Sequence, residues 1–148
     1  MDTSGGERSV VLETRDGLLA AASLAPGDRW IAFVLKRPSG RVALCIAPLS
    51  GRPASEAEWI ILFDENRYLG SPAWSPDGNR LYYLSERNGP CIVWVQDLDP
   101  RTKRPRGETR VFYQVPRPGL LLNFPPGNGF LGAARNRLFL WMGESSGN

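Results

Sequence analysis

Short apolar segments separated by turn-forming residues make up most of the chain. Each segment is four to eight residues long, rich in β-branched and aromatic side chains, and bounded by Gly, Pro, Asn or Asp. That pattern is typical of β-strands. No segment shows a sustained apolar period of 3.6 residues flanked by capping residues, so no long helix is predicted. The pattern therefore predicts an all-β chain.

The apolar segments recur at a spacing of about 50 residues. The stretch 23–34 aligns with 73–84 and places Pro26 on Pro76. Two further matches follow in the same order, 43–49 with 92–98 and 61–63 with 111–113. A unit of about 50 residues that holds four strands has the size of one β-propeller blade. The repeat therefore predicts antiparallel four-stranded blades.

Turn chemistry supports this interpretation. In the second repeat Ser75-Pro76-Asp77-Gly78 fits a type I turn, in which proline presets φ and glycine takes a positive φ at the end. Such a turn returns the chain antiparallel. The first repeat departs from it, with Gly27-Asp28 in place of Asp-Gly and Leu24 in place of Trp74. The structural residues of the repeat motif are expected to be Pro26, Gly27, Asp28, Trp74, Ser75, Pro76, Asp77 and Gly78.

The repeat also predicts how the chain is organised as a partial β-propeller. Residues 1–8 are expected to form a polar tail, and 9–15 the outer strand of a preceding blade. The ranges 19–65 and 68–115 are expected to be whole blades, and 116–148 an incomplete third blade. The prediction is thus two whole blades plus parts of two more.

An incomplete blade leaves unpaired backbone groups at a sheet edge, and end blades can expose apolar faces. We therefore expect self-association as a homo-oligomer. In this hypothesis the strand at 10–14 helps to complete the partial blade at 129–142, within one chain or between chains.

Composition excludes several kinds of chemistry. The chain has no histidine, so a Ser-His-Asp triad, a Cys-His dyad and histidine-bearing zinc sites are impossible within it. The two cysteines, Cys45 and Cys91, are too few for a cysteine-rich zinc site. Both lie in apolar segments and are expected to be small buried hydrophobes, although a disulfide between them stays open. No catalytic, cofactor-binding or metal-binding residue is predicted.

The carboxylate pairs Asp97 with Asp99 and Asp64 with Glu65 could support acid/base chemistry only if one member were in an apolar site. We interpret them instead as solvated carboxylates. Formal matches to a nucleophile elbow and to a dinucleotide fingerprint lack the required histidine or helix; they lie at 143–147 and 127–132.

Charge adds little. The net charge of +3 is mild, with one local basic cluster at 101–106, which we interpret as a solvated hairpin loop. No aromatic residue is interleaved there to stack a base, so no nucleic-acid partner is expected. No apolar run approaches the roughly 18 residues of a membrane span. The polar start predicts a cytoplasmic location if Met1 is the native start.

Five tryptophans are present, and their expected role is packing between blades. A stacking platform for sugars or peptides is the alternative. The five are Trp30, Trp59, Trp74, Trp94 and Trp141.

Residues 71–87, with the core Trp-Ser-Pro-Asp-Gly and the ending Ser85-Glu86-Arg87, closely resemble the TolB-like, WD-type β-propeller repeat. Residues 92–108 are similar to C-terminal propeller regions of bacterial multidomain proteins. The resemblance extends from Leu19 to Asn148. It implies a ring of several blades, of which this chain would supply a part as a C-terminal fragment of a larger bacterial protein.

The resemblance favours a non-catalytic interaction or scaffold module with a protein partner, because propellers present loops on a rigid frame. Plausible rim contacts are Arg87, Arg101, Lys103, Arg104 and Arg106. One alternative is the accessory propeller that gates a prolyl-oligopeptidase-type serine peptidase. Another is a glycan-binding propeller that uses Trp59 or Trp94.

Overall fold

The computed structural model describes residues 9–67, 69–89, 92–114, 131–134 and 137–140. Ten strands follow one another in these residues, with one short turn of 3-10 helix at Glu56–Glu58. The strands are β1 (Leu18–Leu24), β2 (Trp30–Lys36), β3 (Val42–Pro48), β4 (Ile60–Glu65), β5 (Leu69–Trp74), β6 (Arg80–Ser85), β7 (Ile92–Asp97), β8 (Arg110–Gln114), β9 (Leu131–Ala134) and β10 (Arg137–Leu140). The all-β prediction is confirmed.

The strands form two four-stranded antiparallel sheets and one two-stranded hairpin. Blade 1 has the order β1-β2-β3-β4, blade 2 has the order β5-β6-β7-β8, and β9 pairs with β10. Each sheet is a simple meander, since every strand pairs with the next one along the chain. This architecture confirms the predicted class, a partial propeller of antiparallel four-stranded blades.

The backbone conformations of blades 1 and 2 are more alike than their amino-acid sequences are. Both innermost strands contain a bulge, and its left-handed residue is Ala21 (φ 49°) in blade 1 and Ser71 (φ 53°) in blade 2. The turn that follows again has a left-handed residue at matched positions, Asp28 (φ 52°) and Gly78 (φ 68°). A second bulge recurs between β3 and β4 and between β7 and β8. The two sheets are therefore two copies of one backbone design.

The central strands of each blade are buried along nearly their whole length. In β2, β3, β6 and β7 almost every residue is buried, because both faces of each sheet are covered, one of them by the other blade. A continuous apolar strand is what burial of both faces requires. The shared core includes Val34, Leu44 and Ile46 of blade 1, and Leu81, Tyr83 and Trp94 of blade 2.

The face of blade 1 turned away from blade 2 is closed by the chain itself. Phe33 and Cys45 are completely buried there. Trp59 covers this face and meets Phe33 edge to face, with ring centroids 4.8 Å apart. Leu12, Leu49 and Ala54 complete the cover. The expectation that this end of the chain exposes an apolar blade face is therefore wrong, which removes one physical reason for self-association.

The segment 9–15 differs from the expected outer strand. It makes a single parallel bridge, between Leu12 and Ala54, supported by a 3.1 Å hydrogen bond from the amide of Ala54 to the carbonyl of Val11. The Thr14 hydroxyl also donates to Glu56. The segment thus lies along the β3–β4 connection of blade 1 and does not pair with the β9–β10 hairpin.

The β9–β10 hairpin packs on the other face of blade 2. Leu131 is buried against Tyr82 and Val93, with Ala133 and Leu138 partly buried beside it. The polar tail 1–8, residues 116–130, the motif at 143–147, Cys91 and Trp141 lie outside the described residues.

Candidate functional site

The Ser75–Gly78 turn is held by a dense set of short hydrogen bonds. The amide of Gly78 donates to the carbonyl of Ser75 over 2.8 Å, and the amide of Arg80 donates to Ser75 Oγ over 2.9 Å. Asp77 Oδ1 accepts from the Ser75 hydroxyl and, over 3.0 Å, from the amide of Asn79. These donors, the Ser75 hydroxyl first, hold the pKa of Asp77 below its usual range. The turn is therefore a rigid element.

The matching turn of blade 1 also reverses the direction of the chain, but it does so with different residues. Gly27 follows Pro26 and has φ 85°, which a type II turn requires at its third position. The amide of Asp28 closes the turn on the carbonyl of Ala25 at 3.1 Å. The exchange of Asp-Gly for Gly-Asp thus changes the turn type and preserves the direction of the chain.

The two turns lie against each other. A Cβ placed on Gly78 would stand 3.7 Å from Cδ of Pro26. We call the surface formed by Pro26–Asp28 and Ser75–Gly78 the turn end. Next to it lies a cleft of about 500 Å³ between the innermost strands, here called the inner cleft. The inner cleft is lined by Ser23, Leu24, Pro26, Ala73, Trp74, Pro76 and residues 131–134.

Lys103 is buried against the turn end and is not a rim contact. It is only 6% exposed, and its Nζ donates to the carbonyl of Gly78 over 2.8 Å and to Asn79 Oδ1 over 3.3 Å. Its backbone is left-handed, with φ 55°. The prediction that Lys103 is an exposed rim contact is therefore wrong. Its ammonium group is buried and donates a hydrogen bond to the carbonyl oxygen of Gly78 in the repeat turn.

Arg87 joins the two blades. Its Nε donates to Glu65 Oε1 over 2.7 Å, and its guanidinium carbon lies 4.5 Å from the ring centre of Phe63 and 5.1 Å from that of Trp94. The Ser85 hydroxyl donates to the same Glu65 carboxylate. Glu65 and Phe63 belong to blade 1 and the others to blade 2, so the predicted rim contact is an inter-blade clamp.

The three other predicted rim residues, Arg101, Arg104 and Arg106, are exposed. They lie in the β7–β8 loop, where Asp99 accepts from the amides of Thr102 and Arg101 at 2.8 and 2.9 Å. These donors lower the pKa of Asp99. The basic cluster is thus an ordered hairpin loop in which only Lys103 is buried.

Three of the four carboxylates considered for acid/base chemistry form ion pairs with arginine: Asp64, Glu65 and Asp97. Asp97 faces Arg80 at 3.4 Å and Arg110 at 2.6 Å. Asp64 faces Arg41 at 2.7 Å. Neither carboxylate therefore lies in the apolar site that the acid/base hypothesis requires.

The tryptophans that the structure describes serve packing. Trp59, Trp74 and Trp94 are each at most 9% exposed, and Trp74 and Trp94 lie in the core shared by the blades. None of the three can serve as an exposed stacking platform for a sugar. Cys45 is a buried free thiol, and burial raises its pKa to about 12, as expected for an inert core residue.

Among the described residues, no group of three or more aspartate, glutamate or cysteine side chains could hold a metal ion. Within the same part of the chain, no helix is long and apolar enough to cross a membrane.

The sequence contains a motif that points to the inter-blade contact of Arg87, but it contains no motif that predicts the burial of Lys103. The resembled repeat ends in Ser-x-Arg, and here both Ser85 and Arg87 bind Glu65. Nothing in the run 101–106 distinguishes Lys103 from its arginine neighbours, since its burial follows from the path of the β7–β8 loop.

No protein-family model matches the chain. Curated relatives match about half of it. The chain is 36% identical over 76 residues to the Tol-Pal system protein TolB of Hahella chejuensis. This alignment covers 49% of the chain and 16% of the relative. The match to TolB of Chromobacterium violaceum is 39% over 75 residues, 50% of the chain and 16% of the relative. For TolB of Nitrosomonas europaea it is 35% over 95 residues, 64% of the chain and 20% of the relative.

These matches confirm the resemblance to TolB-like propeller repeats of bacteria. The chain spans a fifth or less of the length of these relatives. The predicted cytoplasmic location is wrong. It rested on the polar start of the chain, and the TolB relatives are periplasmic proteins.

Proposed function

We propose that this chain is a non-catalytic protein-interaction segment of a β-propeller, and that its turn end and inner cleft contact a protein partner. The observation that carries the proposal is the contact between two repeat turns from successive blades beside one cleft. Both turns are closed by backbone hydrogen bonds, and loops positioned by a rigid sheet scaffold often carry the binding residues of such folds.

Leu24 supports this assignment. It occupies the position of Trp74 one repeat earlier, yet it is 56% exposed and lines the inner cleft. An exposed apolar side chain in a concave surface leaves the water when a protein partner covers it, which favours binding. The inner cleft therefore has an apolar contact at its wall and hydrogen-bonding turns at its rim.

The relatives support a protein partner. They are named as proteins of the Tol-Pal system, and TolB relatives are non-enzymatic. We extend to this chain only the general role, contact with other proteins. The peptidase-gating hypothesis gains no support from these relatives, and the burial of Trp59 and Trp94 weakens the glycan-binding hypothesis.

Self-association stays a prediction. Its remaining physical reason is the two-stranded hairpin β9–β10, where Phe139 is half-exposed. Light scattering on the purified chain over a tenfold concentration range tests it. A mass that rises with concentration supports self-association, and a constant monomer mass contradicts it.

Photo-crosslinking in the source bacterium tests the proposed binding surface. The photoreactive residue p-benzoylphenylalanine replaces Leu24 in the full-length protein, and in a matched control it replaces Ile61. Both side chains are exposed aliphatic groups, 56% and 51%, but Ile61 lies on the outer strand β4. We expect a discrete crosslinked protein from position 24 only. Equal products from both positions, or none, would contradict the proposal.

A further inference from the structure

A second cleft lies between blade 2 and the β9–β10 hairpin. Its volume is about 470 Å³, within the range of pockets that hold ligands. We call it the outer cleft. It is lined by Ser75, Pro76, Asp77, Arg80, Tyr82, Phe112, Ala133, Arg137 and Leu138.

One part of the outer cleft is apolar and aromatic. Phe112 is half-exposed and packs edge to face on Tyr82, with ring centroids 5.0 Å apart and planes at 73°. Leu138 and Ala133, from the hairpin, are partly buried against the core of blade 2. A large half-exposed ring fixed by an aromatic neighbour can bury further apolar area when a side chain is placed on it.

The remainder of the outer cleft is cationic. Arg80 contributes from blade 2 and Arg137 from the hairpin. Asp97 is shared between Arg80 at 3.4 Å and Arg110 at 2.6 Å, so one carboxylate balances two guanidinium groups. Arg137 has no carboxylate within 4 Å among the residues that the structure describes.

The Asp77 carboxylate also lines the outer cleft and offsets part of this charge, but two arginines against one aspartate leave the lining net cationic. The outer cleft therefore combines an apolar surface with incompletely balanced arginines on two sides. Such a site complements a segment that alternates apolar and acidic side chains.

We propose that the outer cleft binds an extended acidic peptide segment of a protein partner. An apolar side chain of the peptide packs on Phe112 and Leu138, and its carboxylates pair with Arg80 and Arg137. The inference rests on the proposed function and deepens it, since it names the chemistry of a second contact. A nucleic acid fits less well, because the described lining of the outer cleft has two aromatic rings, one of which is largely buried.

Fluorescence anisotropy tests the proposal with a defined probe. The probe is a fluorescein-labelled octapeptide in which glutamate alternates with leucine, and its counterpart has lysine in place of each glutamate. We expect saturable binding of the acidic peptide with a Kd on the order of micromolar, weakened by salt, and no saturable binding of the lysine peptide.

Variants assign the binding to the outer cleft. Phe112→Ala and Arg137→Ala should each weaken binding at least about fivefold, as truncation of a contact residue does. Tyr113→Ala and Arg104→Ala are matched controls, since both residues are exposed and neither lines the cleft; they should leave the Kd unchanged. Circular dichroism melting of every variant shows that the blades are folded.

Each other outcome overturns the proposal. It fails if the acidic peptide does not bind, if the cleft variants bind it as well as the controls do, or if a labelled single-stranded oligonucleotide binds more tightly and depends on the same two residues. The proposed function is judged separately, because crosslinking from position 24 reports on the inner cleft and does not involve Phe112 or Arg137.

Discussion

The indole Nε1 of Trp74 donates a 3.0 Å hydrogen bond to the carbonyl oxygen of Ser23, one repeat earlier in the chain. Trp74 ends the innermost strand of blade 2, and Ser23 lies near the end of the innermost strand of blade 1. The bond thus ties neighbouring blades together directly below the two turns. It gives the motif tryptophan a polar role in addition to its burial in the shared core.

Trp74→Phe should destabilise the protein by about 1–3 kcal/mol, because the carbonyl of Ser23 then loses its partner in a partly buried setting. Urea denaturation followed by circular dichroism measures the change. Trp30→Phe is the control: Trp30 is partly buried in the same core, and the described residues provide its indole with no hydrogen bond. An equal or smaller loss for Trp74→Phe would show that the bond to Ser23 contributes nothing.

Lys103→Met should destabilise the protein by about 1.5–3 kcal/mol, since its ammonium group bonds the carbonyl of Gly78 from a buried position. Arg104→Met, at the exposed neighbouring position, should change stability by less than about 0.5 kcal/mol. Denaturation gives the stability, and hydrogen exchange at the amides of Gly78 and Asn79 localises the effect. Similar values for the two variants would contradict the buried role of Lys103.

A double-mutant cycle on Glu65→Gln and Arg87→Met should give a coupling energy of about 0.5–1 kcal/mol. The pair is partly exposed, with side-chain accessibilities of 18% and 30%, so solvent screens much of its attraction. Arg87→Met alone should cost more than Glu65→Gln alone, because it also removes the contacts with Phe63 and Trp94. Additive effects, with no coupling, would mean that the two residues act independently.

Asp28→Gly should stabilise the protein by about 1 kcal/mol. Asp28 has φ 52° at the position where blade 2 uses Gly78, and a left-handed backbone costs a residue with a Cβ about that much. Gly27→Ala, at φ 85°, should destabilise the protein for the same reason. The two melting temperatures are compared with that of the unmodified chain. A destabilising Asp28→Gly would show that the aspartate side chain makes an important contact.

The turn of blade 2 should contribute a pH-dependent share of stability. The pKa of Asp77 is lowered in the folded protein, so its contribution is complete above the ordinary pKa of an aspartate and is lost as the pH falls through the lowered folded pKa. Asp77→Asn should flatten that part of the profile of unfolding free energy against pH. An unchanged acid limb in Asp77→Asn would contradict the assignment.

Most of the fold could be predicted from the sequence because turn-forming residues mark the ends of the strands in each repeat. Pro26 and Pro76 mark equivalent turns, and the apolar segments after them are strands on both sides of the blade interface. The central strands carry the clearest sequence signal, since burial on both faces makes them continuous apolar runs. The bulges at Ala21 and Ser71 could not be foreseen, because neither residue type signals a left-handed backbone.

The candidate site was less predictable because it depends on contacts between repeats. Arg87 and Lys103 were expected at the rim with three other basic residues. The structure instead buries Lys103 beneath a turn and clamps Arg87 to Glu65. Segment 9–15 likewise has a strand-like composition, yet its contact is with the loop at Ala54. In each case the deciding partner is distant in sequence and has no local signature.

The packing of successive repeats as neighbouring blades is tested most directly by nuclear magnetic resonance on the indole proton of Trp74. If successive repeats pack as neighbouring blades, that proton shows a nuclear Overhauser effect to the Hα of Ser23 and exchanges slowly with solvent, and both features disappear in Trp74→Phe. An indole proton that exchanges rapidly and shows no effect to Ser23 would contradict the arrangement from which the turn end and both clefts follow.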